Sequence, residues 1–149
     1  MDTEKIIYEE LEILEEDIIT RHEEAGQVAS GKTRASFLIQ SNFNSGQLSG
    51  ASYVGVLKNG RRPGGVPTNF IDIIKNWAQA KGISFSDEKQ FNLWANAVKW
   101  KIIREGTKLY RSGQTQDIFD TPIEQFNQRF SNRIIDYYQQ QLVNDIFNF

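Results

Sequence analysis

The stretch Tyr53-Val-Gly-Val-Leu-Lys-Asn-Gly-Arg-Arg-Pro-Gly-Gly-Val-Pro67 separates a region of short strand-like runs from a series of helical ones. Asn59-Gly60 and Pro63-Gly64-Gly65 are typical of turns, because glycine adopts positive φ and proline holds φ near about −65°. The stretch is therefore predicted to be an exposed loop that presents Arg61 and Arg62.

Helical periodicity follows this loop. Residues 69–81 are predicted to form a helix with Thr68 as its N-cap and Gly82 at its end. After a connection of about four residues, a second helix is predicted to follow Ser86 and to stop at Gly106. The apolar positions of these two helices are Phe70, Ile71, Ile74, Trp77 and Ala78, and then Phe91, Trp94, Ala95, Val98 and Ile102.

A third helix C-terminal to the loop is predicted to be long. Thr121-Pro122-Ile123-Glu124 combines an N-cap hydroxyl, a proline at the first helical position and a glutamate that completes a capping box. The helix behind this cap covers about 26 residues, and its apolar side carries Ile123, Phe126, Phe130, Ile134, Tyr137 and Gln141.

The N-terminal side of the loop is predicted to be a helix followed by two strands. Ile7, Leu11, Leu14 and Ile18 form one stripe within residues 4–25, and Gly26 ends the helix. Ile6, Ile13 and Ile19 are expected to broaden that stripe. Residues 35–40 alternate as in a half-buried strand, residues 47–57 give a second strand, and Asn44-Ser45-Gly46 connects them. The predicted fold class is therefore α+β: a long N-terminal helix, a small antiparallel sheet and three further helices including a long C-terminal helix.

Length and composition predict a single domain over residues 1–149. The chain has 149 residues, 39% of them hydrophobic and 24% charged, which is enough for one core and a polar surface. It contains no cysteine, so disulfides and thiolate-bound metals are excluded. No apolar run of about 18 residues and no signal-peptide pattern occurs, so we expect no membrane contact and synthesis in the cytoplasm.

Charge is unevenly distributed along the chain. Residues 1–50, 51–115 and 116–149 carry net charges of −6, +7 and −3, which together give the −2 of the whole sequence. Complementary patches on identical copies steer their encounter, so this pattern favours self-assembly. The alternative is that the acidic block is only the solvated face of a helix.

The sequence offers little for catalysis. His22 is the only histidine, it lies on the apolar side of the first helix, and it is expected to be structural. Consecutive acidic residues such as Glu15-Glu16-Asp17 do not share a helix face, so they do not predict a metal site. Phosphate-loop, zinc-helix and dinucleotide motifs do not occur. We therefore expect no enzyme activity, no cofactor and no metal.

Five features of the chain together resemble a known family. They are Ala29-Ser30-Gly31-Lys32-Thr33, the tyrosine-led segment into Gly60-Arg61-Arg62-Pro63-Gly64, the nearby Pro67, an Ile-x2-Trp helix ending in Lys81-Gly82-Ile83, and Ile103-Arg104-Glu105-Gly106-Thr107. Over residues 30–107 this pattern is similar to the small tail-completion or neck (head-tail joining) proteins of tailed bacteriophages. The last third of the chain matches no motif of that family.

This resemblance implies a structural virion protein of the phage neck or tail. Such a protein assembles with itself into a ring, which requires a head-to-tail contact between different patches of identical subunits. The implied partners are other copies of the chain and portal, connector or tail proteins. Incidental contact of the chain with packaged DNA is also implied. Arginine forks and glycine amides suit acidic groups, so the interface is predicted at the loop. The predicted interface residues are Tyr53, Gly60, Arg61, Arg62, Pro63, Gly64 and Gly65. A flexible basic turn without a specific partner is the alternative.

A DNA-binding protein is the alternative function. Residues 69–105 resemble a helix-turn-helix, and the basic residues Lys99, Lys101, Arg104, Lys108 and Arg111 lie in or after its second helix. A recognition helix presents polar side chains to base edges. The candidate helix carries Phe91, Trp94 and Trp100 instead, which favours packing in a core or an interface.

Overall fold

The computed structural model describes residues 2–27 and 31–147, and the chain divides into two compact units. Unit 1 comprises Met1–Gly26, Thr33–Ser52 and Asp117–Phe149, and unit 2 comprises Gln27–Lys32 and Tyr53–Gln116. The expectation of one domain over residues 1–149 stays a prediction. Ala29 and Ser30, which begin the first of the family-like segments, lie outside the described residues.

Unit 1 is built on helix α1, Thr3–Glu24. The Asp2 carboxylate caps its start by accepting a hydrogen bond from the Glu4 amide at 3.2 Å, and Gly26 follows its end with φ +69°. The predicted stripe is confirmed, since its four residues are buried, as are Ile6 and Ile19. Ile13 was wrongly included: it lies at the edge of the buried face, next to Ile6, and is 40% exposed.

The sheet of unit 1 is a two-stranded antiparallel hairpin. Strand β1, Leu38–Asn42, pairs with strand β2, Ser45–Ser49, and Asn42 lies opposite Ser45. The turn is closed by the Asn42 side chain, which accepts hydrogen bonds from the Asn44 and Ser45 amides. The hairpin lies so close to α1 that a Cβ on Gly46 would collide with Ile7 and Leu11.

The predicted strand bounds were wrong at the outer ends and at the turn, where Ser45 and Gly46 of the predicted connection belong to β2. Ala35 closes a short helix α2, Lys32–Ala35, and the second strand stops at Ser49. Beyond it, Ser52–Val56 form a 3-10 helix. The Ser36 hydroxyl accepts a hydrogen bond from the Ala51 amide at 3.2 Å, so a side chain provides the partner here that strand pairing would have supplied.

Helix α6, Asp120–Phe147, completes unit 1. The predicted cap at Thr121 is wrong: the helix already includes Asp120, and the Asp117 carboxylate accepts from the Thr121 amide at 3.0 Å and from its hydroxyl at 2.6 Å. Arg129 pairs with Glu10 and Asp17 of α1, and Arg133 pairs with Glu9 and Glu10.

These ion pairs run in opposite order along the two helices, so α1 and α6 are antiparallel. Arg133 lies beside Glu9, six residues from the first residue of α1, Thr3. From about Gln140 onward, α6 therefore extends past the start of α1. In that last stretch Leu142, Val143, Ile146 and Phe147 are 53–77% exposed.

Unit 2 contains helices α3, Phe70–Ala80, α4, Glu88–Glu105, and α5, Lys108–Ser112. Its buried apolar side chains include Val54, Ile74, Ala78, Phe91 and Ala95. The Asp87 carboxylate caps α4 through the Gln90 amide at 2.7 Å. The N-cap position of α3 is Asn69, without a side-chain hydrogen bond, so the predicted Thr68 cap is wrong. The α3–α4 connection spans residues 81–87 and is longer than predicted.

The predicted α+β class is confirmed. The long N-terminal helix, the small antiparallel sheet and the long C-terminal helix are all present, and α3 and α4 are the other two predicted helices. The short helices α2 and α5 were not predicted.

Candidate functional site

The glycine-rich loop is fastened to the end of α4 and the start of α5. The Arg61 amide donates to the Thr107 hydroxyl at 2.9 Å, and the Thr107 amide donates to the Arg61 carbonyl at 2.9 Å. The Gly64 amide donates to the Ile103 carbonyl, also at 2.9 Å. The structure thus joins two of the segments that carried the resemblance, although they are some forty residues apart in the sequence.

Two glycines permit this close approach. Gly60 has φ +76°, and a Cβ there would lie 2.5 Å from the Thr107 hydroxyl oxygen. Gly106 has φ +77°, and a Cβ there would lie 2.6 Å from the Arg61 carbonyl oxygen. At both positions a larger residue is excluded, because the positive φ disfavours a side chain and because its Cβ would collide with a neighbouring atom. Gly65 has open space around it and no positive φ, so its role is not explained by packing.

The two arginines of the loop have different surroundings. The Arg61 guanidinium donates to the Gly65 carbonyl and lies 5.7 Å from the centre of the Phe70 ring. Arg62 is exposed, and within residues 2–27 and 31–147 it makes no ion pair or hydrogen bond through its side chain. Arg61 therefore holds the loop in shape, and Arg62 projects a free guanidinium from it.

Six of the seven predicted interface residues line one open cleft of about 520 Å³. Its lining residues are Val56, Asn59, Gly60, Arg61, Arg62, Pro63, Gly64, Gly65 and Tyr110. The seventh, Tyr53, is 43% exposed in the 3-10 helix and does not line the cleft. Tyr110 was missed, because no local pattern links α5 to a loop some fifty residues earlier.

The outward face of α4 is apolar in part. Trp100 was expected to pack in a core or an interface; it is 57% exposed within the chain and so lies outside the core, and Leu93 on the same side is 64% exposed. Phe91 and Trp94 do pack together, with ring centres 6.2 Å apart and Phe85 against both. Asn96, which a DNA-reading helix would present to bases, donates instead to the Asn92 carbonyl of its own helix at 2.9 Å.

The division into units coincides with the division of charge. Unit 2 holds 12 basic and 4 acidic side chains, a net charge of +8, and unit 1 holds 5 and 15, a net charge of −10, which together give the −2 of the chain. This contrast is sharper than the contrast between sequence blocks, because the acidic α1 and α6 belong to the same unit.

The acidic side of α1 has a distinct electrostatic character. A hydrogen bond to Glu12, together with the negative charges of Glu12 and Glu15, raises the pKa of Tyr8 above its usual value. By contrast, hydrogen bonding to the Arg133 guanidinium lowers the pKa of Glu9. One face of α1 is therefore left electronegative, and the face towards α6 is neutralised.

In the described part of the chain, no three His, Cys, Asp or Glu side chains converge in a way that could hold a metal ion. His22 is buried at 3% exposure on the packed side of α1. None of the described helices has the length and apolar character needed to cross a membrane.

Comparison of the chain with protein families, with curated proteins and with solved structures finds no match.

Proposed function

We propose that this chain is a structural virion protein of a tailed phage, placed in the neck or tail, where copies assemble into a ring that connects the portal or connector to the tail. The proposal rests on the sequence resemblance over residues 30–107 and on the arrangement of charge. A ring needs two different patches that fit each other. A chain with one unit at −10 and one at +8 carries patches of that kind.

The observation that carries the proposal is the fastened loop with its projecting Arg62. A guanidinium held on a preorganised loop loses little conformational freedom when it meets a carboxylate, and it can bind both oxygens at once. Hydrogen bonds from Arg61, Gly64 and Thr107 keep this loop in place before any partner arrives. The loop is suited to binding an acidic surface.

The first experiment measures the mass of the purified full chain by light scattering over a range of concentrations, with electron microscopy of the largest species. We expect ring-shaped oligomers, weakened at least tenfold in affinity by Arg62→Ala. Lys32→Ala is the matched control, since Lys32 is another exposed cation of unit 2, and it should leave assembly unchanged. A wild-type chain that stays monomeric at every concentration would contradict self-assembly.

The second experiment tests the location. Particles released from cells that make this chain are purified and their proteins identified, with gold-labelled antibody against the chain viewed by microscopy. The label is expected at the junction of head and tail or on the tail. A chain that stays entirely in the soluble fraction would overturn the virion assignment.

DNA binding through α3 and α4 is the second candidate, and the exposed Trp100 among basic residues is the observation that favours it. A filter-binding titration against single- and double-stranded DNA at several salt concentrations tests it. A DNA-binding protein loses affinity steeply as salt rises, since its cations displace counterions from phosphates. Weak binding with a shallow salt dependence would exclude this function.

A further inference from the structure

The exposed face of α4 carries a stripe of mixed basic and apolar side chains. Lys89, Leu93, Asn96, Trp100 and Arg104 are spaced by four, three, four and four residues, which places them on one side of the helix. The opposite side, with Phe91 and Ala95, is buried. We call these five residues the α4 stripe.

Both cations of the α4 stripe lack a counter-charge among the residues that the structure describes. Lys89 and Arg104 are exposed, and neither forms an ion pair with any residue in the described ranges. Trp100 lies between them along the stripe, more than half exposed. Tryptophan and arginine are the residues that most often dominate the free energy of protein interfaces, so an exposed pair of them indicates a docking surface.

A face of matching size and opposite charge lies on α1. Glu4, Tyr8, Glu12 and Glu15 are spaced by four, four and three residues, and we call them the α1 stripe. Lys5, the cation nearest to them in sequence, is 3.8 Å from Glu9. No Lys or Arg among the described residues pairs with Glu12 or Glu15. At about 1.5 Å per residue the α1 stripe is roughly 17 Å long and the α4 stripe roughly 22 Å.

We propose that the α4 stripe of one copy docks against the α1 stripe of a second copy, as part of the self-assembly on which the proposed function rests. The two stripes belong to different units, so the contact is head-to-tail and each copy keeps one stripe of each kind for its neighbours. Trp100 and Leu93 supply the apolar centre opposite Tyr8, and the charged residues form the rim.

The composition of the α4 stripe favours a protein partner over nucleic acid. Leu93 offers a base no stacking surface, and the Asn96 side chain is engaged by its own helix. The α1 stripe, in turn, supplies three carboxylates, which are the counter-charges that Lys89 and Arg104 lack. The second copy therefore satisfies both stripes at once.

Charge exchange between the stripes tests this contact in the full chain. Lys89→Glu/Arg104→Glu makes the α4 stripe acidic, and Glu12→Lys/Glu15→Lys makes the α1 stripe basic. Each double variant alone should associate at least tenfold more weakly than the wild type by sedimentation equilibrium. Mixed in equal amounts, the two variants should regain association, because each then meets an oppositely charged stripe on the other.

Two further variants distinguish the ion pairing between the two stripes from the apolar packing of Trp100 and from the net charge of unit 2. Trp100→Ala keeps every charge and should also weaken association at least tenfold. Lys32→Glu/Lys108→Glu changes the net charge of unit 2 as much as the α4 double variant but lies outside α4, so it should weaken association less than threefold. Circular dichroism confirms that each variant is folded before its association is compared.

The outcomes distinguish this inference from the function on which it rests. A wild-type chain that never associates ends the proposed self-assembly. If the wild type assembles, and the α4 and α1 variants assemble equally well, the contact between these stripes is wrong while self-assembly stands. A mixture that fails to regain association, together with loss of single-stranded DNA binding in the α4 variant alone, would assign the α4 stripe to nucleic acid.

Discussion

In unit 1 every Lys and Arg side chain lies 3.8 Å or less from a carboxylate of the same unit, whereas many cations of unit 2 have no ion pair with a residue that the structure describes. Within the described residues of unit 2, ion pairs join Lys75 to Glu88 and Arg111 to Glu105. The unit 2 cations without such a pair include Lys32, Arg62, Lys89, Lys99, Lys101, Arg104 and Lys108. The positive charges of unit 1 thus serve internal ion pairs, and positive charge in unit 2 remains available for a partner.

The largest expected effect concerns the buried carboxylate of unit 1. Glu10 is 2% exposed, with Arg129 at 3.0 Å and Arg133 at 2.9 Å. Glu10→Gln leaves two partly buried guanidinium groups without that counter-charge, and it should lower the free energy of unfolding by about 3 kcal/mol. Urea denaturation followed by far-ultraviolet circular dichroism measures this. Exposed Glu124→Gln is the control, and a loss below about 1 kcal/mol at Glu10 would show that this pairing contributes little.

The next effect concerns the fastened loop of unit 2. Gly60→Ala forces an alanine to φ +76° and places its Cβ against Thr107 and the Tyr110 amide, so it should cost about 2 kcal/mol. The three tryptophans all lie in unit 2, so their fluorescence during urea denaturation reports the change there. Gly65→Ala, with open space around it, should change stability by less than about 0.5 kcal/mol. Equal effects at the two glycines would refute the account of the loop.

A smaller effect should appear on acidification. Hydrogen bonding to Arg133 lowers the pKa of Glu9, so its stabilisation is complete above the unfolded carboxyl pKa of about 4.3 and is lost as pH falls through the lower folded value. Between pH 6 and pH 3 the wild type should therefore lose more stability than Glu9→Gln. The difference between the two proteins isolates Glu9 from the other carboxylates. Parallel pH profiles would contradict the assigned pairing.

The smallest effect separates the two arginines of the loop. Arg62→Ala removes an exposed side chain that forms no hydrogen bond or ion pair with the described residues, and it should alter the free energy of unfolding by less than about 0.5 kcal/mol. Arg61→Ala removes the bond to Gly65 and the contact with Phe70, and it should cost about 1 kcal/mol. Chemical denaturation of both variants gives the comparison. A larger loss for Arg62→Ala than for Arg61→Ala would reverse the assignment of structural and binding roles.

The parts of the fold that sequence predicted are those set by local periodicity. The stripe from Ile7 to Ile18 is buried as expected, because helical spacing alone brings those side chains to one face. Caps and strand ends were less predictable. Asp117, three residues before the start of α6, caps the helix by accepting a hydrogen bond from the Thr121 amide. Where β2 ends, the Ser36 hydroxyl accepts a hydrogen bond from the Ala51 amide in place of strand pairing. Such side-chain bonds depend on the chain path and not on residue type alone.

The candidate site was predicted in composition but not in its connections. The glycines and arginines of the loop were identified from turn chemistry, yet the bonds from Arg61 to Thr107 span 46 residues, and no local pattern encodes them. The place of Trp100 was left open between a core and an interface, and the structure excludes only the core. Its spacing from Lys89 and Arg104 would have revealed a second, mixed face of the same helix.

The end of α6 has a consequence for protection against solvent. Beyond about Gln140 the helix lies past the start of α1 and its large apolar side chains are exposed, and short helical segments without packing open readily in water. Deuterium should therefore enter their amides orders of magnitude faster than those near Arg129, which the ion pairs to α1 hold in place. This stretch would gain protection only when another apolar surface covers Leu142, Val143, Ile146 and Phe147. Deuterium uptake along α6 therefore reports whether a second surface has bound to its C-terminal end.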